Sequence, residues 1–191
     1  MENPYWHPFY KPHPIDFDDI RENCFKSFCI LKASSALEGT APEGIGEPTH
    51  KHFFQNAEAK LSSHLLDIAI RMRTLEDILK NHRLSGMYGS FIETISDKYN
   101  LGNIYNGGDV GDSKDITFRE ACNKIIHAED LRYVYDNGSN DRDGDFAWGM
   151  TGVLEMSGKI QSKNWEVWLS LEDFLSMCLE IADRFDVADP D

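Results

Sequence analysis

The sequence predicts a mostly α fold: a helical bundle with a small antiparallel β-sheet inserted before the C-terminal helix. Three observations predict it. A long apolar stripe at helical spacing occupies the middle of the chain, two capped helical patterns follow it, and between those two the period switches from about 3.6 to 2. With 191 residues, 41% of them hydrophobic and 12% aromatic, the chain is long enough for one domain with a single core.

Residues 1–15 form a proline and aromatic N-terminal arm, ahead of a single helical domain over 16–191. Pro4, Pro8, Pro12 and Pro14 fix their own φ and push their predecessors to extended geometry. Tyr5, Trp6, Phe9 and Tyr10 are too apolar for a free tail, so the arm is expected to pack along the domain or onto a second subunit. From Ile15 to Leu37, the positions Ile20, Cys24, Phe28, Leu31 and Ser35 mark a helix started near Asp16 or Asp18. The glycines and prolines of "EGTAPEGIGEPT" end it.

Phe54, Ala57, Leu61, Leu65, Ile68, Met72, Leu75 and Leu79 then recur every three or four residues. That seam predicts the spine of the bundle, from about Lys51 to His82. "RLSGMYGS" (83–90) reads as a turn, "FIETISDKY" as a short helix, and "NLGNIYNGGDVGD" as a glycine-rich loop. Thr117 and Glu120 fit a capping box for a helix over 117–129.

The β insertion is expected over about 131–170, with strands in "LRYVYD", "TGVLEMSGKI" and "NWEVWLSL". In the last of these Trp165, Val167 and Leu169 share one face. Ser170 with Asp173 starts a final helix over 171–186, bearing Leu171, Phe174, Leu175, Cys178, Ile181, Ala182 and Phe185.

Charge and cysteine use narrow the function. Thirty-three acidic against 19 basic residues leave a net charge of −14, which argues against indiscriminate nucleic-acid binding and leaves room for a local basic patch or a basic protein partner. No apolar run is long enough to span a membrane, and no charged stretch followed by an apolar core opens the chain. Four scattered cysteines without a CxxC pair point to a reduced, cytoplasmic protein. No nucleotide loop, catalytic triad order or zinc pattern is present, so no cofactor and no metal are expected. "DRDGD" (141–145) would attract calcium, but counting from Asp141 the sixth and twelfth positions are Phe146 and Gly152 where an EF-hand needs glycine and glutamate. Turn formation explains it better.

The chemistry concentrates in "REACNKIIHA" (119–128). At about 100° per residue, Phe118, Ala121, Cys122, Ile125 and Ile126 form the apolar face. His127 falls about 180° from Phe118, with Asn123 one turn before it and within reach of an amide–ring hydrogen bond. Arg119, Glu120 and Lys124 complete the polar side. A histidine there suits acid–base work because its ordinary pKa lies near neutrality, and an arginine can stabilise a phosphorane-like charge. On the preceding long helix, Arg71, Arg73, Lys80, His82 and Arg83 form the densest positive region, and Arg73, Lys80 and Arg83, near one face, are candidates for RNA contact. Pairing with Asp67, Glu76 and Asp77 at helical spacing is the alternative.

"NKIIHA", closing a helix of a small bundle, resembles the signature of HEPN domains (higher eukaryotes and prokaryotes nucleotide-binding). The resemblance implies a helical and usually dimeric fold, which often carries a metal-independent endoribonuclease of defence or stress systems such as phage defence. It implies a site made by two facing motif helices, with His127 taking the proton of a ribose 2′-hydroxyl beside Asn123 and Arg119. The motif departs from the family at two points. Cys122 stands where the arginine most often precedes the polar residue, and seven residues separate Arg119 from His127, one more than the family tolerates. Arg119 is therefore expected to reach the site from the partner of a homodimer or through its long side chain. The expected function is RNA-linked; the alternative is a non-catalytic binding or regulatory module whose acidic surface docks a protein partner.

Overall fold

The computed structural model describes residues 15–37, 48–80, 82–106, 113–136, 148–161 and 163–186. The arm, apart from Ile15, and the loop 141–145 lie outside the described residues. Among the described residues, five helices and five strands follow one another as α1 (Phe17–Leu37), α2 (Pro48–Lys80), α3 (Ser85–Ser96), β1 (Gly102–Asn106), β2 (Ser113–Asp115), α4 (Phe118–His127), β3 (Asp130–Asp136), β4 (Gly149–Ile160), β5 (Lys163–Ser170) and α5 (Leu171–Asp186).

Asp16 starts α1 by accepting the backbone N–H groups of Asp18 and Asp19 at 3.0 and 3.1 Å. The buried stripe of this helix is Ile20, Cys24, Ser27, Leu31 and Ser34. Phe28 and Ser35, expected on it, are exposed instead. The shift has a physical reason: α1 packs against α2, α5 and β4, and the Ser34 hydroxyl takes the Met150 N–H of β4. Asn23 donates to Asp67 and Arg71 pairs with Asp19, so α1 and α2 run antiparallel. Arg21 pairs with Asp183 and Lys32 with Glu172, so α5 also runs against α1.

The seam of α2 is as the spacing predicts. Ala57, Leu61, Leu65, Ile68, Met72, Leu75 and Leu79 are all buried, and only Phe54 at its start stays partly exposed. Each leucine or isoleucine so buried contributes about 1.5–3 kcal/mol of transfer free energy. Helix α3 begins at Ser85, inside the stretch expected to turn. Gly86 and Gly89 lie on its outer side with nothing near their Cα hydrogens, while Tyr88 and Ile95 anchor the inner side. Packing of those two overrides the weak helix propensity of the glycines.

The sheet is antiparallel throughout, in the order β2-β1-β5-β4-β3. It is larger than the expected insertion, because β1 and β2 come from the glycine-rich segment ahead of α4. Gly102 makes the β1–β5 pairing possible: its φ is +105°, and a Cβ there would lie 2.0 Å from the Trp168 carbonyl oxygen. Trp165, Val167 and Leu169 of β5 are buried with Ile104, Leu154 and Met156, while Glu166 and Trp168 face outward. The helices thus cover one face of the sheet. At the end of β5 the chain turns directly into α5, where the Ser170 hydroxyl donates to Asp173 at 3.1 Å. All seven apolar residues expected inside α5 are buried.

Candidate functional site

The site is built on α4. Its start is fixed by the expected capping box: Thr117 Oγ1 accepts the N–H of Glu120 at 3.3 Å, and Glu120 Oε2 accepts the N–H of Thr117 at 3.2 Å. Phe118, Ala121, Cys122 and Ile125 are buried beneath it, and the Phe118 ring stacks on Phe174 with centroids 5.8 Å apart.

Along its polar side α4 lies antiparallel against α2. Arg119 meets Glu76 at 2.7 Å and Asp77 at 3.3 Å. One turn on, Asn123 Oδ1 accepts a hydrogen bond from Arg73 Nε at 2.9 Å. Arg73 Nη1 lies 2.5 Å from Asp77 Oδ2, as an ion pair rather than a well-directed hydrogen bond. Lys80 reaches Glu76 at 3.1 Å. A continuous polar network results, running Lys80, Glu76, Arg119, Asp77, Arg73, Asn123.

Two carboxylates hold this network together. Glu76 is only 8% exposed and meets both Arg119 and Lys80. Asp77 sits at the surface, and the Arg73 guanidinium beside it, helped by Arg119, holds its carboxyl below the usual range. Burial alone would lower the pKa of Arg119, but Glu76 and Asp77 outweigh it and hold that pKa above its ordinary value.

The structure therefore brings Arg119, Asn123, Arg73 and Lys80 into one network and leaves His127 outside it. The register that pairs Arg119 with Asp77 and Asn123 with Arg73 places His127 level with Ala69. His127 is exposed, and the expected Asn123–His127 hydrogen bond is replaced by the bond from Arg73. Leu66, Ile70 and Leu131, all half exposed, occupy the same end of the α2–α4–β3 surface. Tyr133, two residues beyond Leu131, bonds Ser62 of α2 at 2.8 Å and fixes that register.

The positive region of α2 is paired as the alternative reading anticipates. Arg71 takes Asp67 and Asp19, Arg73 takes Asp77, and Lys80 takes Glu76. Arg83 stands exposed in the turn between α2 and α3.

Two features escape a reading of the sequence. Arg73 is the guanidinium next to the motif asparagine, and nothing in its spacing tells which helix it will face. Lys124, expected on the polar side, is 8% exposed, with Nζ 3.9 Å from the centre of the Trp165 ring. Strand β5 covers that side of α4, and burial lowers the Lys124 pKa. A hollow of about 610 Å³ opens between α3 and the start of α4, lined by Glu76, Tyr88, Ile92, Phe118 and Arg119. Among the described residues no three His, Cys, Asp or Glu side chains converge to hold a metal ion, and no helix is long and apolar enough to cross a membrane.

No family model, no curated protein and no solved structure matches the chain.

Proposed function

We propose that this chain is a HEPN-like helical domain working as a binding or regulatory module rather than as a ribonuclease. The observation that carries the reading is the commitment of both arginines near the motif. Metal-independent RNA cleavage needs a base for the 2′-hydroxyl proton and a cation free to meet the charge developing on phosphorus. Arg119 is held by Glu76 and Asp77, and Arg73 by Asp77 and Asn123. Drawing Arg119 onto a phosphate would leave buried Glu76 with Lys80 alone, and stripping a partner from a buried charge costs about 3–5 kcal/mol. The net charge of −14 adds a general repulsion of RNA.

One observation favours the second reading, an RNA-linked endoribonuclease of a defence or stress system. His127 is exposed at the end of the motif helix, where the corresponding helix of a second copy could face it in a homodimer. The test is cleavage of a structured RNA in the presence of a chelator, by wild type and His127→Ala. The module reading expects no cleavage that depends on His127. Cleavage by the wild type that disappears in His127→Ala overturns it. Because His127 is exposed, the variant is expected to keep its stability within about 0.5 kcal/mol.

A further inference from the structure

The sheet face turned away from the helices carries an aromatic and acidic surface with a distinct chemistry. Trp168 of β5 is 52% exposed, and Tyr105 of β1 meets it edge-on with ring centroids 6.3 Å apart. Across the strands, Trp168 lies opposite Glu155 of β4, and Glu155 opposite Arg132 of β3. In the next row outward, Glu166 lies opposite Ser157, and Ser157 opposite Asp130. A hollow of about 170 Å³ lies among them, with Trp168 as one wall and Asp130, Arg132, Glu155 and Glu166 around it.

The charge of the hollow is unbalanced. Three carboxylates face one guanidinium, and Arg132 is loosely held, 3.6 Å from Glu155 and 3.9 Å from Asp130. Glu166 is paired with no cation among the described residues. The carboxylates do not converge tightly enough for a metal ion. They suit a larger, planar cation that spreads its charge over several N–H groups. An indole face beside carboxylates offers a guanidinium both stacking and bidentate hydrogen bonding, which an ammonium uses less well.

We propose that this open sheet face docks a partner protein through arginine side chains, one of which seats in the hollow against Trp168. The proposal rests on the reading of the chain as a binding module and names the face and the partner chemistry. Charge complementarity selects the occupant: three carboxylates around one guanidinium, on a chain of net charge −14, attract a basic segment and repel a phosphate backbone.

The test is fluorescence anisotropy of a labelled peptide of alternating arginine and serine, titrated with the full chain. Saturable binding is expected, weakened about 10-fold by Trp168→Ala and about 3-fold by Glu166→Gln. Glu166→Gln alters no packing, so it reads the site even if Trp168→Ala fails to fold. Glu93→Gln, the same charge change on α3, is expected to leave the affinity unchanged, and a lysine–serine peptide to bind more weakly. The proposal is overturned by absence of saturable binding, by equal losses in Glu93→Gln and Glu166→Gln, or by equal affinity for the lysine peptide. Binding of an oligouridylate that Trp168→Ala abolishes overturns it too, since the face would then be a base-stacking platform. Cleavage of RNA dependent on His127 removes the module reading separately, whatever the peptide does.

Discussion

Replacing Arg73 with methionine keeps an aliphatic stem on α2 and removes the guanidinium that ties Asn123 to Asp77. Two interactions go, the 2.9 Å hydrogen bond to Asn123 Oδ1 and the 2.5 Å contact with Asp77 Oδ2. A hydrogen bond from a charged donor contributes about 1.5–3 kcal/mol, towards the low end here because Asn123 is only half-buried. The Asp77 side chain is 53% exposed and also holds Arg119, so losing its second pair costs about 0.5 kcal/mol after screening by water. The expected loss is about 2 kcal/mol at neutral pH. Part of it depends on pH with a definite sign. Arg73 is the first cause of the lowered Asp77 pKa, and a carboxyl depressed in the folded state stabilises above its unfolded value and loses that stabilisation as pH falls through its folded value. The gap between wild type and Arg73→Met should therefore narrow below about pH 4, while the Asn123 share persists. Urea denaturation followed by tryptophan fluorescence, at neutral pH and near pH 3.5, measures both parts. A loss under about 0.5 kcal/mol at neutral pH, or a gap that widens in acid, would refute the network as the fixing element of the α2–α4 contact.

Two further substitutions probe how the sheet is placed. Gly102→Ala drives a Cβ to 2.0 Å from the Trp168 carbonyl oxygen at a φ of +105°, and is expected to cost more than about 3 kcal/mol; an unchanged thermal midpoint would refute the close approach. Ser34→Ala strands the buried Met150 N–H that donates to the Ser34 hydroxyl at 2.9 Å, for a loss of about 1–3 kcal/mol in denaturant titrations. Exposed Ser35→Ala should cost less than about 0.5 kcal/mol, and equal losses at the two serines would contradict this placement of α1 on β4.

The elements whose signal is local were legible in the sequence. The α2 seam, the Thr117–Glu120 capping box and the alternation of β5 each state their own geometry within a few residues, and the structure follows them. Where a segment's state depends on a distant partner, its own residues do not declare it. Gly86 and Gly89 look like a turn until Tyr88 and Ile95 find the core, and "GNIYN" looks like a loop until β5 offers an edge to pair with. Phe28 of α1 is apolar and correctly spaced, yet Ser27 and Ser34 are the residues that face inward. The positions of α2, α5 and β4 decide between them.

The same limit governs the site, and α4 shows why. A helical wheel separates an apolar arc from a polar one but does not say which parts of the polar arc meet water. Three surfaces close on this short helix. The core takes Phe118, Ala121, Cys122 and Ile125, α2 takes Arg119 and Asn123, and β5 takes Lys124. Polar residues satisfy those last two contacts because each finds a specific partner, a carboxylate, a guanidinium or an indole face. What remains in solvent is the narrow arc that ends at His127, and even Glu120 within it is spent on Thr117 and Lys114. The histidine is outward, as its place on the wheel requires. The wheel places Arg119 outside the core without saying what it meets, and its carboxylate partners, Glu76 and Asp77 of α2, join the two helices there.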